Sequence, residues 1–334
     1  MTRHDMKRPF SAASLILDAE AETVRVADLV RSQILKRLRR RGAVLGLSGG
    51  IDSSVTAALA ARALGPKNVL GVLMPERDSD PDSLRLGRLL AETLGIPHVV
   101  EDIAPMLEAS GCYERRNGFI RTLVPEYGPG WGCKLAISNV LKGESFNITV
   151  LVVRSPEGEE RRIRMPLDSY FGIVAAANMK QRTRKQLEYY HADRLNYAVA
   201  GTPNLLEYDQ GFFVKNGDGA ADFKPIAHLY KTQVYQLAEH LGVPAEICRR
   251  PPTTDTWSLA QTQDEFYFSV PYHQMDLCLY GLNHHLTADE VAKAASLSEE
   301  QVERVWRDIA SKRKATRYQH ERPLLADCEP LLVG

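Results

Sequence analysis

The chain has 334 residues, of which 44% are hydrophobic and 25% are charged, an ordinary balance for a globular protein. Its 42 basic and 42 acidic residues cancel, so the overall charge does not favour a nucleic-acid scaffold or a membrane surface. Five scattered cysteines, no signal peptide and no apolar run of membrane-spanning length predict a soluble, cytoplasmic protein with reduced thiols.

Residues 1–41 are predicted to form an N-terminal helical segment ahead of the main domain, residues 42–334. Apolar positions recur at helical spacing from Ala13 to Arg41, and a basic run precedes Gly42. A solvated helix end explains this run, because basic residues there compensate the helix dipole. A nucleic-acid patch is the less favoured alternative.

The stretch 43–58 predicts a buried strand, a glycine-rich turn and a helix in direct succession. Ser48-Gly49-Gly50 lets backbone N–H groups converge on an anion, and the dipole of the following helix favours the same charge. The lysine of a Walker A loop is missing, and Asp52 would repel phosphates unless a divalent cation lay between them. The stretch therefore predicts a magnesium-nucleotide site, with a ligand-free tight turn as the alternative.

Strands and helices then alternate along the chain. Residues 68–75 predict a strand, residues 79–95 an amphipathic helix and residues 97–100 a third strand. This alternation predicts an α/β fold with a doubly wound parallel sheet flanked by helices. Nucleotides bind such sheets beyond the carboxyl ends of the strands, where the glycine-rich turn lies.

Residues from about 110 to 170 interrupt this alternation and are interpreted as an insertion. Residues 146–153 and 161–165, joined by the turn Pro156-Glu157-Gly158, predict a β-hairpin. An interface arm or a lid is one reading of the insertion, and internal packing is the other.

A second candidate anion-binding turn follows the helix predicted for residues 175–192. The strand 197–200 leads into Gly201-Thr202-Pro203-Asn204, and Glu207 follows closely enough to be a second carboxylate for the metal. Compensation of a helix dipole explains Glu207 equally well.

The loop 210–222 is rich in glycine and charge, and it is interpreted as functional. Lys215 can neutralise a carboxylate or phosphate, and Asp218 or Asp222 can accept a proton; surface turns are the alternative. Lys231 opens an amphipathic helix, so its default role is structural. The loop 250–256 can grip pyrophosphate or act as a linker, and residues 264–318 are predicted to be mainly helical.

Taken in order, these motifs resemble those of the ammonia-dependent NAD synthetases, a family of PP-loop ATP pyrophosphatases with a Rossmann-like sheet. The resemblance extends in pieces from about Gly42 to Lys314. It implies that ATP contacts Gly46, Leu47, Ser48, Gly49, Gly50, Ile51, Asp52, Ser53, Thr202, Lys231 and Thr253. It implies Mg²⁺ on Asp52 and Glu207. It implies that the second substrate, nicotinic acid adenine dinucleotide (deamido-NAD), contacts Arg182, Lys215, Asp222 and Lys312.

The implied reaction is amidation of deamido-NAD to NAD with ATP and ammonia, through an adenylated carboxylate that releases pyrophosphate and then AMP. Lys215 and Asp222 are the catalytic candidates, with Asp222 accepting a proton from the attacking amine. The resemblance also implies a homodimer. Free ammonia or a separate glutaminase partner is expected, because residues 1–41 leave no room for a glutaminase domain.

The sequence departs from the family pattern at Pro203, Leu205 and Leu206, and Ser311 stands where the family has a histidine. Two alternatives therefore stay open: a PP-loop ligase for another carboxylate, and a non-catalytic regulator that binds adenine nucleotides. A tRNA-modifying thiolase is disfavoured, because neither a catalytic cysteine pair nor a basic RNA-binding module is evident.

Overall fold

A four-stranded parallel sheet forms the centre of the computed structural model, which describes residues 10–137, 149–253, 256–268 and 270–326. The strands are β1 (Ala43–Gly46), β2 (Val69–Leu73), β3 (His98–Val100), β4 (Gly132–Ala136), β5 (Val150–Arg154), β6 (Glu160–Arg164) and β7 (Ala198–Val199). The parallel sheet has the order β3-β2-β1-β7, with Val44 of β1 opposite both Leu70 and Val199. The predicted α/β class and parallel sheet are confirmed.

Helices cover the sheet. They are α1 (Ala19–Arg31), α2 (Ile51–Leu64), α3 (Pro81–Leu94), α4 (Ala104–Ala109), α5 (Cys112–Arg121), α6 (Leu167–Leu195), α7 (Leu205–Gln210), α8 (Lys231–His240), α9 (Ala245–Arg249), α10 (Tyr272–Asn283), α11 (Ala288–Ala295) and α12 (Glu299–His320). Short 3₁₀ or π segments lie at Ala12–Leu15, Ser32–Arg37, Pro66–Asn68 and Asp264–Phe268. In the described part of the chain, no helix is long and apolar enough to cross a membrane.

Strand β1 is buried on both faces, as its unbroken apolar sequence requires. Successive side chains point to opposite faces. Leu45 packs into a core cluster with Leu59 of α2, whereas Val44 packs into a cluster on the other face with Ala192 of α6. Helices on both faces therefore hold the carboxyl end of β1 in place.

The direction of winding reverses at β1. The chain passes from β1 outward through β2 to β3, and β7 then pairs with the opposite side of β1. Turns that follow β1 and β7 consequently diverge to opposite faces and leave a crevice between them, which is where open α/β sheets bind ligands.

The predicted hairpin is confirmed as β5 and β6, and β4, which the sequence did not predict, pairs with β5 to make a three-stranded antiparallel sheet. Residues 146–148 of the predicted hairpin lie outside the described residues. Helix α6 begins at Leu167 rather than near 175, and it ends at Leu195, because the left-handed backbone of the next residue, Asn196 (φ 55°), terminates the helix. The insertion at about 110–170 remains an interpretation, since it contains α5 and the start of α6.

Gly87 of α3 gives a test of the packing around the sheet. A Cβ atom there would lie 2.5 Å from Leu73 Cδ2 and 3.2 Å from the Leu47 carbonyl oxygen, whereas one at Gly118 of α5 would meet nothing within 4 Å. Gly87→Ala is expected to lower the free energy of unfolding by about 1–3 kcal/mol through overpacking. The matched change Gly118→Ala should raise it by roughly 0.5–1 kcal/mol, because alanine costs less backbone entropy in a helix. Equal effects of the two changes in urea unfolding would contradict this packing.

Candidate active site

A cleft of about 1200 Å³ opens beyond the carboxyl ends of β1, β2 and β7. Seven of the predicted turn residues line it: Gly46, Leu47, Ser48, Gly50, Ile51, Asp52 and Ser53. Gly49 is not among the lining residues. It makes the turn, with φ +71°, and packs so closely against α3 that a Cβ atom would lie 2.7 Å from the Ser83 carbonyl oxygen.

The turn presents the N-terminus of α2 to the cleft. Gly50 precedes the helix and has no side chain to cap its first N–H groups. The hydroxyl oxygens of Ser48 and Ser53 are 3.1 Å apart, and Ser48 Oγ accepts a 3.3 Å hydrogen bond from the Gly50 N–H. Uncapped N–H groups and the positive end of the helix dipole together suit this turn to an anion such as phosphate.

Asp52, in the first turn of α2, forms an ion pair with Lys231, the first residue of α8. Its other carboxylate oxygen accepts a 3.0 Å hydrogen bond from Asn204 Nδ2. The side chain of Lys231 is 2% exposed, so this lysine is a buried cleft residue. Burial lowers its pKa, but the charges of Asp52 and Glu207 outweigh burial and raise it.

Glu207 is the second carboxylate of this cluster. Its carboxylate accepts hydrogen bonds from the Asn204 N–H at 3.1 Å and from Gln263 Nε2 at 2.9 Å. Burial, together with the negative charge of Asp52, raises its pKa to about 8 against the opposing charge of Lys231. One ammonium therefore does not fully compensate the carboxylates of buried Glu207 and partly buried Asp52.

That imbalance fits a divalent cation. Among the described residues, no group of three or more histidine, cysteine, aspartate or glutamate side chains is arranged to hold a metal. Two carboxylates suit Mg²⁺, which usually takes one or two protein carboxylates and completes its shell with water and phosphate oxygens. Asp52 and Glu207 are the residues that would hold it.

Asp276 of α10 fixes the position of Lys231. Its carboxylate accepts hydrogen bonds from the backbone N–H of Lys231 at 3.1 Å and of Thr232 at 2.7 Å, so it caps α8 from another helix. Burial, only partly offset by these bonds, raises the pKa of Asp276 to about 7. The lysine and its partner Asp52 are therefore held by separate helices, α8 and α2.

The Asn178-Met179-Lys180-Gln181-Arg182 motif divides between two faces of α6. Lys180 points inward, where Nζ donates to Glu76 Oε1 at 2.8 Å, Asp78 Oδ2 at 2.6 Å and the Thr256 carbonyl at 2.7 Å. Arg182, two residues and about 200° further round the helix, is exposed and donates to the Lys215 carbonyl at 3.3 Å. Arg184, on the face of Lys180, lines the cleft.

Lys215 and Asp222 of loop 210–222 also lie outside the cleft lining. Lys215 Nζ donates to the carbonyl oxygens of Tyr318 at 2.8 Å and Glu321 at 2.9 Å. Asp222 accepts from the Val199 N–H at 2.7 Å and from the Tyr189 hydroxyl at 3.3 Å. Asp218, the other candidate in this loop, does line the cleft.

The remaining predicted contacts line the cleft. Thr202 follows β7, Thr253 lies in the loop after α9, and Lys312 projects from α12. Lys312 Nζ donates to the Tyr267 carbonyl at 2.5 Å and to Asp308 Oδ2 at 2.6 Å. Thr254 and Asp255 of the same predicted loop lie outside the described residues.

Sequence reasoning missed several residues that hold this cluster. Asn204, which donates to Asp52, was named only as the last residue of the second candidate anion-binding turn. Gln263 and Asp276 lie in segments without a motif, so no local signal distinguishes them. Arg184, which lines the cleft but does not hold the cluster, could have been found from helical spacing, because it lies four residues after Lys180.

The parallel sheet, the uncapped helix N-terminus and the two carboxylates at the winding reversal define a nucleotide-binding α/β protein. Comparison with known proteins narrows this class. Residues 22–119 and 161–323 match the family described as NAD synthase.

The chain is 68% identical over 316 residues to the NH₃-dependent NAD⁺ synthetase of Rhizobium meliloti, covering 95% of this chain and 94% of that protein. It is 33% identical to the synthetase of the same name from Thermotoga maritima, and the match covers 86% of this chain and 93% of that protein. The chain therefore belongs to the NAD synthase family, whose members are ligases.

Two solved structures have the same fold at low identity. The NMN synthetase of Francisella tularensis superposes with a TM-score of 0.65 at 21% identity, covering 94% of this chain and all of that one. The NH₃-dependent NAD synthetase of Campylobacter jejuni superposes with a TM-score of 0.60 at 22% identity, covering 93% of this chain and 100% of that one.

Glu207→Gln is expected to stabilise the ligand-free protein at neutral and alkaline pH. The pKa of Glu207 is raised from its ordinary value near 4.5 to about 8 in the folded protein. Its carboxyl group therefore ionises more readily in the unfolded chain, and the folded protein loses stability as the pH rises from 4.5 to 8. The advantage of the glutamine variant in thermal unfolding should be absent near pH 4.5, grow up to about pH 8 and then remain constant.

Glu303→Gln, at an exposed position of α12, is the control and should show no such growth. A glutamine variant at position 207 that gains no stability between pH 5 and pH 8 would contradict the burial of an uncompensated carboxylate there.

Proposed function

We propose that the protein catalyses the ATP-dependent amidation of deamido-NAD with ammonia, giving NAD, AMP and pyrophosphate. Membership of the NAD synthase family and sequence identity of 68% and 33% to two NH₃-dependent NAD⁺ synthetases support this function. The observation that carries it is the ion pair between buried Lys231 and partly buried Asp52, beside Glu207 and at the uncapped N-terminus of α2.

The nucleotide is proposed to place its phosphates between the turn and this cluster. N–H groups of the turn and the ammonium of Lys231 supply positive charge, and Thr202 and Thr253 offer hydroxyls from the facing loops. Mg²⁺ on Asp52 and Glu207 would neutralise phosphate charge and make pyrophosphate a better leaving group. A cleft of about 1200 Å³ exceeds the usual volume for one small ligand, which supports two substrates.

The carboxylate of deamido-NAD is proposed to attack the α-phosphorus of ATP, forming an acyl adenylate and releasing pyrophosphate. Ammonia then adds to the activated carbonyl carbon, AMP leaves, and one proton is lost from nitrogen. No nucleophilic side chain is required, because adenylation supplies the leaving group that a carboxylate lacks. The protein's task is alignment and charge neutralisation.

Acceptor recognition is proposed for Arg182, Lys215, Asp222 and Lys312, with Asp222 accepting the proton from the amine. Of these, Lys312 lines the cleft of one chain, and the others lie outside it. A homodimer in which the partner completes the acceptor site reconciles this arrangement with the family resemblance. Leu167 and Phe171 at the start of α6 are 71% and 60% exposed, and these apolar side chains support such an interface.

Sedimentation equilibrium would detect the proposed dimer. A monomer at every protein concentration would contradict it.

We also propose that the protein is cytoplasmic and that it uses free ammonia or ammonia from a separate glutaminase. Nicotinic acid mononucleotide is the alternative acceptor, since one structural neighbour is an NMN synthetase. It lacks the adenylate half of deamido-NAD, so a shorter acceptor site would suffice for it.

The test is product analysis with purified protein, Mg²⁺, ATP and ammonium, comparing deamido-NAD, nicotinic acid mononucleotide and no acceptor. Deamido-NAD should yield NAD, AMP and pyrophosphate in equal amounts, and Asp52→Asn should lower all three by about 10²-fold or more, because a charge that organises the phosphates is lost. Asp222→Asn should retain pyrophosphate release but lose NAD formation if Asp222 takes the proton from the amine.

Three outcomes contradict parts of the proposal. Turnover with the mononucleotide alone would change the acceptor, and no turnover with any carboxylate would favour a nucleotide-binding regulator. Undiminished amidation by Asp222→Asn would remove Asp222 from proton transfer and leave its bonds to Val199 and Tyr189 as its role.

A further inference from the structure

We propose that Glu188 of α6 binds the ribose hydroxyls of the nucleotide and makes the enzyme selective for ribonucleotides. This inference rests on the proposed function only in taking a nucleotide as the ligand of the cleft. It concerns a residue for which the sequence motifs assigned no role.

The position of Glu188 is fixed by its neighbours at the end of β1. A Cβ atom built on Gly46 would lie 3.0 Å from Glu188 Oε1 and 3.1 Å from Met74 Cε. The carboxylate therefore lies at the point where the glycine-rich turn begins and where the chain leaves β2. Glycine at position 46 leaves open the space between them.

The walls of the cleft on either side of this point differ in chemistry. On one side lies the anion-binding turn, from Ser48 to Ser53. On the other lies an apolar slot made by the end of β2 and the residues after it, Val72, Leu73, Met74 and Pro75. In a nucleotide, the sugar joins the base to the phosphates. A nucleotide with phosphates on the turn and its base in the slot consequently places its ribose beside Glu188.

The carboxylate is prepared to accept hydrogen bonds. Lys185 Nζ donates to Glu188 Oε2 at 2.6 Å, and the two side chains are 7% and 8% exposed. Among the described residues, Lys185 is the hydrogen-bond donor to Glu188 and uses only Oε2, and Oε1 is the atom nearest Gly46. Both residues line the cleft. An ionised carboxylate makes stronger hydrogen bonds to hydroxyls than a neutral acceptor does.

A purely structural role for the Lys185–Glu188 ion pair explains fewer of these observations. Buried ion pairs add little net stability compared with apolar residues of the same size, because desolvation offsets their attraction. Both side chains also line the cleft, and Oε1, which Lys185 does not use, lies 3.0 Å from the Cβ position of Gly46, another lining residue.

The test compares ATP with 2′-deoxy-ATP and 3′-deoxy-ATP, by calorimetric binding in the presence of Mg²⁺ and by kcat/KM. The unmodified protein should prefer ATP over at least one deoxy analogue by about 10- to 100-fold, the usual effect of one hydrogen bond to a charged group. Glu188→Gln should reduce this preference. The double change Lys185→Met with Glu188→Leu, which leaves no unpaired buried charge, should abolish it by weakening the binding of ATP more than that of the analogue that lacks the contacted hydroxyl.

Glu101→Gln is the matched control. Glu101 Oε1 is paired with His191 of the same helix at 2.8 Å, and Glu101 does not line the cleft, so its substitution should leave the preference unchanged. An undiminished preference in the double variant, or equal binding of all three nucleotides by the unmodified protein, would overturn the role of Glu188. Because binding is measured without turnover, either result would leave the amidation reaction to be judged by its own products.

Discussion

The ion pair between Asp52 and the buried Lys231 is the constraint on which the site depends. A lysine at the first position of a helix faces the positive end of the helix dipole, which disfavours it, and burial adds a desolvation cost. Both costs are offset where Asp52 and Glu207 supply negative charge and Asp276 caps α8. The cluster thereby ties α2 to α8 across the crevice and keeps an excess of carboxylate for a cation.

This arrangement explains why the site lies where the winding of the sheet reverses. Asp52 follows β1, and Asn204 and Glu207 follow β7, and these two strands are adjacent. Neither turn alone contains a complete set of charges. The parallel register brings them together, and Lys180 anchors the wall formed by the residues after β2 through its bonds to Glu76 and Asp78.

Local patterns predicted the strand-turn-helix at residues 43–58, the parallel sheet and the hairpin, because buried strands, glycine turns and helix periods depend on neighbouring residues. The resemblance pointed to the turn and to Lys231, whereas periodicity alone gave Lys231 a structural role. The partners Gln263 and Asp276 and the pair Lys185–Glu188 were beyond prediction, since they meet the site only through tertiary packing. The length of α6 was underestimated because its first turns begin two residues after β6, within the segment interpreted as an insertion.

The measurement that tests the chemistry most directly follows oxygen-18 from the nicotinate carboxylate of labelled deamido-NAD during turnover with ATP and ammonia. The turn and the Asp52–Lys231 cluster are proposed to position the α-phosphorus for attack by that carboxylate. Such an attack predicts one labelled oxygen in the phosphate of AMP. Label in pyrophosphate, or its absence from AMP while NAD forms, would contradict activation through an acyl adenylate.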